Sequence, residues 1–232
     1  MPYTNIKLTN ETAHHLLHVL RIKPNENIIL CDGNSTDYHC TIIEANTKKL
    51  FVTCQIITSS PCTTEPSTSI RLYQALPKGD KLDMIIQKCV ELGVVEIIPL
   101  ITTRSISQKP STAKQDRFQR ISESAAGQSM RGIIPKVNEV HTLSTALEHS
   151  HQNQLNIVAY ENEKHQTLKH LLNIPYPTNV GIWIGPEGGY TQDEIDMLTS
   201  AHVKTATLGT RILRTETAAI ATIAQIICLS EL

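Results

Sequence analysis

The residues best able to do chemistry lie in the last third of the chain, in two runs of unusual composition. The first is Gly185-Pro186-Glu187-Gly188-Gly189, which follows the apolar segment Val180-Gly181-Ile182-Trp183-Ile184. Three glycines permit positive φ and let a ligand approach the backbone closely. A loop at the carboxyl end of a buried strand is also where open α/β sheets bind ligands. A tight strand-to-helix turn is the plainer reading of the same residues. The pattern is neither G-x-G-x-x-G nor a P-loop, so nucleotide phosphates are not indicated. The second run is Leu208-Gly209-Thr210-Arg211-Ile212-Leu213-Arg214-Thr215-Glu216-Thr217-Ala218, where two arginines and a carboxylate crowd one loop among apolar neighbours. Charges in such surroundings need partners, and two such loops at neighbouring strand ends suggest one pocket.

The elements that must position these loops follow from periodicity. From residue 70 onward, apolar runs of strand length alternate with amphipathic helical stretches. The spacing predicts strands over 70–75, 94–100, 156–160, 180–185 and 204–208, and helices over 80–92, 115–130, 192–201 and 215–230. Alternation of this kind implies a largely parallel sheet covered by helices. Asp80 is placed to cap the first helix, and Thr191 with Glu194 forms a capping-box signature before the third. In the second helix Arg117, Arg120, Ser124, Gln128 and Arg131 fall on one stripe; it reads as an exposed face in preference to a phosphate clamp. Upstream, short β-type runs between 27 and 54 are separated by Asp32-Gly33-Asn34 and Asn46-Thr47-Lys48 turns, the pattern of a small barrel or sandwich. The Ser/Thr/Pro-rich stretch 58–69 lacks apolar periodicity and reads as a linker, with a boundary near residue 68.

Composition narrows the class. The chain has 232 residues, 40% of them hydrophobic, enough for real cores. The longest apolar-leaning stretch, 218–229, is too short to span a bilayer and carries Thr222 and Gln225. No basic start with an apolar core opens the chain, so a secretory leader is not expected. The six cysteines show no C-x-x-C spacing, which argues for reduced thiols and against a zinc site. His14 and His18 would share a helix face, but the second position of that string lacks the glutamate of the metalloprotease pattern. Net charge is −1 overall, yet residues 69–135 hold 10 Lys+Arg against 6 Asp+Glu. That local surplus suits either a phosphate-facing patch or a solvated surface.

The two loop runs, GPEGG and LGTRILRTETA, resemble the SPOUT methyltransferases, and within them the 16S ribosomal RNA (uracil-1498-N3)-methyltransferase family, RsmE. HHLLHVLRIK, ALPKGDKLDMIIQKCVELGV, Thr103-Arg104-Ser105 and RFQRISESAAGQSMRGIIPKV resemble that family's blocks in the same order, so the likeness spans nearly the whole chain. The sequence departs from the family at Asn25, usually glycine, at Phe118, usually tryptophan, and at Gly127, often glutamate.

The resemblance implies an α/β fold: a PUA-like β-barrel for RNA over residues 1–68, then a SPOUT-type parallel sheet with a deep C-terminal trefoil knot over residues 69–232. General topology rules disfavour threaded chains, so the knot is expected from the resemblance alone. It further implies S-adenosylmethionine as cofactor, a homodimer, 16S ribosomal RNA in the small subunit as partner, and a cytoplasmic location without membrane or metal. Cofactor contacts are expected from Tyr160, Gly185, Glu187, Gly188, Leu208, Gly209, Ile212 and Leu213, which can offer apolar faces and backbone polar groups to an adenine. Arg214 is expected to orient the uracil or stabilise charge as N3 loses its proton. Glu216 is either the base or the partner of Arg214. RNA contacts are expected from Arg21, Lys78, Lys81, Lys88, Arg104 and Arg131. Methylation of another RNA position, including a ribose 2′-hydroxyl, and a non-catalytic RNA-binding role in ribosome assembly are the alternatives.

Overall fold

The structure, a computed structural model, describes residues 4–106, 110–172 and 175–231. The chain divides into two compact units: residues 1–65 with 131–133, and residues 66–130 with 134–232.

The first unit is built on an antiparallel sheet. Strands β1 (Asn5–Leu8), β2 (Asn27–Cys31), β3 (Thr36–Asn46) and β4 (Phe51–Pro61) pair in the order β1-β4-β3-β2. Alternation along β3 and β4 sends Cys40, Ile42, Val52 and Cys54 to one face, where helix α1 (Asn10–His14) and the π-helical turn His15–Val19 add Ala13, Leu16 and Leu17. Both expected turns are present: Asp32 Oδ1 accepts from the N–H groups of Asn34 and Thr36, and Asn46 Oδ1 from that of Lys49. Asn25, where the resembling family has glycine, takes φ +71°, a conformation asparagine tolerates better than most residues.

The stretch expected to be a linker is partly strand. β4 continues to Pro61, its residues Thr58, Ser59 and Ser60 pairing with His39, Tyr38 and Asp37. Thr58, Ser59 and Ser60 are themselves outside the core cluster, so no apolar alternation marks that end of β4. The unit closes where Glu65 Oε1 accepts from the N–H groups of Gly132 and Ile133 and its carboxylate pairs with Arg131. Arg131 therefore leaves the helical stripe on which it was expected: the helix ends at Gln128, Met130 turns at φ +54°, and Arg131 is 5% exposed.

The second unit is a parallel α/β sheet. Its strands are β5 (Ser69–Ala75), β6 (Val94–Ile101), β7 (Lys136–Val137), β8 (His141–Thr142), β9 (Leu155–Ala159), β10 (Asn179–Ile184) and β11 (Lys204–Ala206). They run β11-β9-β10-β5-β6-β7, with β8 also on β6, all in parallel. The helices are α2 (Lys81–Glu91), α3 (Thr112–Gln128), α4 (Leu143–Ser150), α5 (Leu168–Leu171), α6 (Gln192–Ser200) and α7 (Thr215–Ser230). None is long and apolar enough to cross a membrane.

β10 reads as a continuous apolar run because both of its faces are covered. Val180, Ile182 and Ile184 join one core with residues of α2, α3 and α7, while Trp183 joins another with residues of α4 and α6. Trp183 stacks on Tyr73 of β5, ring centroids 4.2 Å apart and planes 8° from parallel. Phe118 is likewise core, 1% exposed. The capping box of α6 is present in both directions between Thr191 and Glu194. Asp80 precedes α2 but makes no side-chain cap, since its φ of −102° and ψ of 17° lie outside the extended region from which caps reach back.

Candidate active site

Because the strands are parallel, the loops after β5, β6, β9, β10 and β11 gather at one end of the sheet. The order of connection reverses between β5 and β10: β6 and β7 follow to one side, β9 and β11 lie on the other. Such a reversal leaves a crevice at the carboxyl ends, and the glycine-rich loop after β10 stands beside it.

That loop is held from several sides. Glu187 accepts from the backbone N–H of Lys78 at 3.1 Å and from Lys81 Nζ at 2.8 Å. Partial burial works against the ionised form of Glu187, but the hydrogen bonds from Lys81 and from backbone N–H groups outweigh it, leaving the carboxyl below its ordinary range. Arg104, in the turn after β6, donates through Nη1 to the carbonyls of Gly188 (2.7 Å) and Tyr190 (3.2 Å). The neighbouring Thr103 N–H donates to Glu194 Oε1 at 2.7 Å, tying the same turn to α6. Gly189 takes φ +67°, and its N–H donates to Pro186 O.

Beneath the loop is a latch that sequence reasoning missed. Thr215, the first residue of α7, donates its hydroxyl to Gly185 O at 2.6 Å and accepts from Gln74 Nε2 at 3.0 Å. Gln74 Nε2 also donates to Ala75 O, so one amide group joins the ends of β5 and β10 to α7. Thr215 Oγ1 is already a donor, which fixes the amide's orientation and leaves Gln74 Oε1 buried without a partner among the described residues. A glutamine between Tyr73 and Ala75 at the end of β5 was the available signal, since a buried amide requires partners.

The second run begins after β11, which ends at Ala206, two residues before Leu208. Leu208 and Leu213 pack against the core, whereas Ile212 is 87% exposed. Gly209, at φ +109°, has open space where a Cβ would stand. Tyr160 donates its N–H to Ala206 O, and its hydroxyl lies between Asn162 Nδ2 and Gln192 Oε1, at 3.0 and 3.3 Å. Next in the chain, Glu163 accepts from the N–H groups of Lys164, His165 and Gln166 and from the Thr205 hydroxyl. The His165 N–H, then Thr205, then Gln166 pull the Glu163 carboxyl down to about 2.

The expected catalytic pair does not pair. Arg214 precedes α7; its carbonyl accepts from the Ala218 N–H, while its side chain is exposed and has no hydrogen bond or ion pair among the described residues. Glu216 instead faces Lys81, whose Nζ lies 3.4 Å from Oε2, close enough for an ion pair but without hydrogen-bond geometry. Lys81 thus sits between two carboxylates and is raised above the ordinary lysine range, first by its hydrogen bond to Glu187 and then by charge attraction to both. Of the other expected RNA contacts in this unit, Lys78 is exposed, Lys88 pairs with Glu91, and Arg104 is engaged with loop carbonyls. On the α3 stripe, Arg117 pairs with Asp83. In the first unit, Arg21 is exposed at φ +53°, and Arg131 is committed to Glu65.

Comparison with known proteins bears on both units. Residues 64–227 match the model of the RNA methyltransferase domain, and residues 8–54 that of the RNA methyltransferase PUA domain. The chain is similar to Ribosomal RNA small subunit methyltransferase E of Bacillus subtilis, 34% identical over 91% of this chain and 85% of that protein. It is similar to the protein of the same name from Mesomycoplasma hyopneumoniae, 36% identical over 92% of this chain and 89% of that protein. Among solved structures it resembles the Neisseria gonorrhoeae enzyme of that name bound to S-adenosyl methionine, with 31% identity, a TM-score of 0.89, and coverage of 99% and 93% of the two chains.

Proposed function

The chain belongs to the ribosomal RNA small subunit methyltransferase E family, and from that premise we propose that it transfers a methyl group from S-adenosylmethionine to N3 of uridine 1498 in 16S ribosomal RNA. The observation that carries this reading is the set of loops at the carboxyl end of the sheet, tied together through Thr215 and Gln74 around the glycine-rich run. The residues present suit the cofactor. Leu208 and Leu213 offer apolar contact, Gly209 leaves open space, and Gly185 and Gly188 bring backbone close. Tyr160, Glu187 and the exposed Ile212 border the same loops. When bound, S-adenosylmethionine supplies an electrophilic methyl on a sulfonium.

The protein's own part is then positioning and charge. Arg214, free of ion pairs, faces the uracil and stabilises the negative charge that grows as N3 gives up its proton. Glu216 acts through Lys81 and Glu187, seating the loop that borders the methyl donor. Lys78 and Arg21 are exposed cations for phosphates, with the half-buried Lys88, which also pairs with Glu91, as a third. Arg104, Lys81 and Arg131 shape the protein and leave RNA to those three.

The finer architecture belongs to the same proposal. The chain leaves edge strand β11 at Ala206, and by Thr215 it bonds Gly185 at the end of β10, beyond β9 in the sheet. Threading of this segment past the loop after β9 would make the trefoil knot. The first unit is taken as a PUA-like barrel that holds RNA, residues 1–68 and 69–232 as the two domains, the working form as a homodimer, and the location as the cytoplasm. An exposed groove lined by Leu208, Cys228 and Leu229 offers the apolar surface a second copy would cover.

Nucleoside mass spectrometry tests the reaction. Small subunits lacking the modification, incubated with protein and S-adenosylmethionine, should gain 3-methyluridine at one site. Methylation at another nucleotide or at a ribose would reject the acceptor while keeping the enzyme class.

A further inference from the structure

In the loop after β9, the side chains of Tyr160, Asn162, Glu163 and Lys164 all have partners. The Tyr160 hydroxyl meets Asn162 and Gln192. Glu163 is saturated by three backbone N–H groups and the Thr205 hydroxyl. Lys164 Nζ folds back onto the carbonyl of Glu161 at 2.6 Å. Between Tyr160 and Asn162, the carboxylate of Glu161 is exposed and has no hydrogen bond or ion pair among the described residues. It is nonetheless placed: a Cβ built on Gly189 would stand 2.7 Å from Glu161 Oε1, so the carboxylate lies directly against the glycine-rich loop. A flexible surface glutamate would have no cause to rest there. A rigid loop here presents one unpaired anion across the backbone of another.

Resting on the cofactor reading above, we propose that Glu161 receives the α-ammonium of the amino-acid end of S-adenosylmethionine. The sheet order is β11-β9-β10. The apolar residues suited to adenine follow β11, whereas Glu161 leaves β9 and reaches the loop of β10, in the direction away from them. The group at that far end of the ligand is the amino acid, and its ammonium is the cation a carboxylate holds best. Glycine at 189 is then required twice, for φ +67° and for the space the carboxylate occupies.

Calorimetric binding of three adenosine ligands to wild type and Glu161→Gln separates the possible roles without relying on turnover. S-adenosylmethionine and S-adenosylhomocysteine both carry the ammonium, and 5′-methylthioadenosine lacks it. Losing one charge-assisted hydrogen bond should weaken the first two by about 10- to 100-fold and leave 5′-methylthioadenosine unchanged. Equal weakening of all three would mean that Glu161 serves the ribose or the loop's shape, and no weakening of any would leave it without a role; either result overturns the proposal. Loss confined to S-adenosylmethionine would assign the carboxylate to the sulfonium, and also overturns it. A wild-type protein that binds none of the three would instead remove the cofactor reading, and this assignment with it.

Discussion

Arg214 and Glu216 are two positions apart, yet one faces solvent and the other faces Lys81. Their substitutions should therefore fail differently. Arg214→Ala should abolish methyl transfer while leaving S-adenosylmethionine affinity within a factor of about two, because the guanidinium holds nothing in the protein itself. Parallel loss of binding and turnover, measured by calorimetry beside single-turnover assays, would sink that assignment. Glu216→Gln should raise the cofactor Kd, since it loosens the Lys81–Glu187 support of the glycine-rich loop. A fall in kcat of about 10²- to 10⁴-fold at unchanged Kd would instead mark Glu216 as the general base.

At the scale of elements, the loop after β9 depends on one carboxylate. In the folded loop the backbone N–H of His165, then the Thr205 hydroxyl, hold the Glu163 carboxyl down at about 2, below its ordinary 4.5. A depressed carboxyl stabilises the form that binds it above the unfolded value and loses that contribution as pH falls through the folded one. Protection of the His165 and Gln166 amides, taken relative to their intrinsic exchange rates, should thus fall between about pH 4.5 and 2. Glu163→Gln should show fast exchange at neutral pH and no such acid step; an unchanged wild-type profile would contradict the clamp.

How far these elements can be read from the sequence depends on their surroundings. β10 and α7 announce themselves because burial demands long apolar runs, and α6 because its capping box is local chemistry. β7, β8 and α5 have two to four residues each, too short for a period to register. α4 is not legible although Thr142 caps it, its eight residues carrying one histidine and three apolar side chains. The Gln74–Thr215 bond joins positions 141 residues apart in sequence, and Glu216 exchanges a neighbour for a lysine on another helix. No local pattern encodes such partners. The resemblance supplied the loops, but not who touches whom within them.

For the whole molecule, the assignment of Arg21, Lys78 and Lys88 to phosphates predicts salt-dependent RNA binding spread over both units. Each alanine substitution should reduce the slope of log K against log salt by about one, whereas Arg131→Ala should leave the slope alone and lower the melting temperature. A slope altered by Arg131→Ala in a protein of unchanged stability would restore that residue to the RNA surface.

Trp183 is the only tryptophan in the chain, fully buried on β10 two residues before Gly185, and stacked on Tyr73. The molecule therefore carries one indole, and it sits in the larger unit beneath the candidate site. Its emission should be that of a dry indole, responsive to events at the glycine-rich loop and to loss of the parallel sheet. Unfolding of the antiparallel unit alone would pass unseen by it. Comparing tryptophan emission with far-ultraviolet circular dichroism during denaturation would separate the melting of the two units without any added dye.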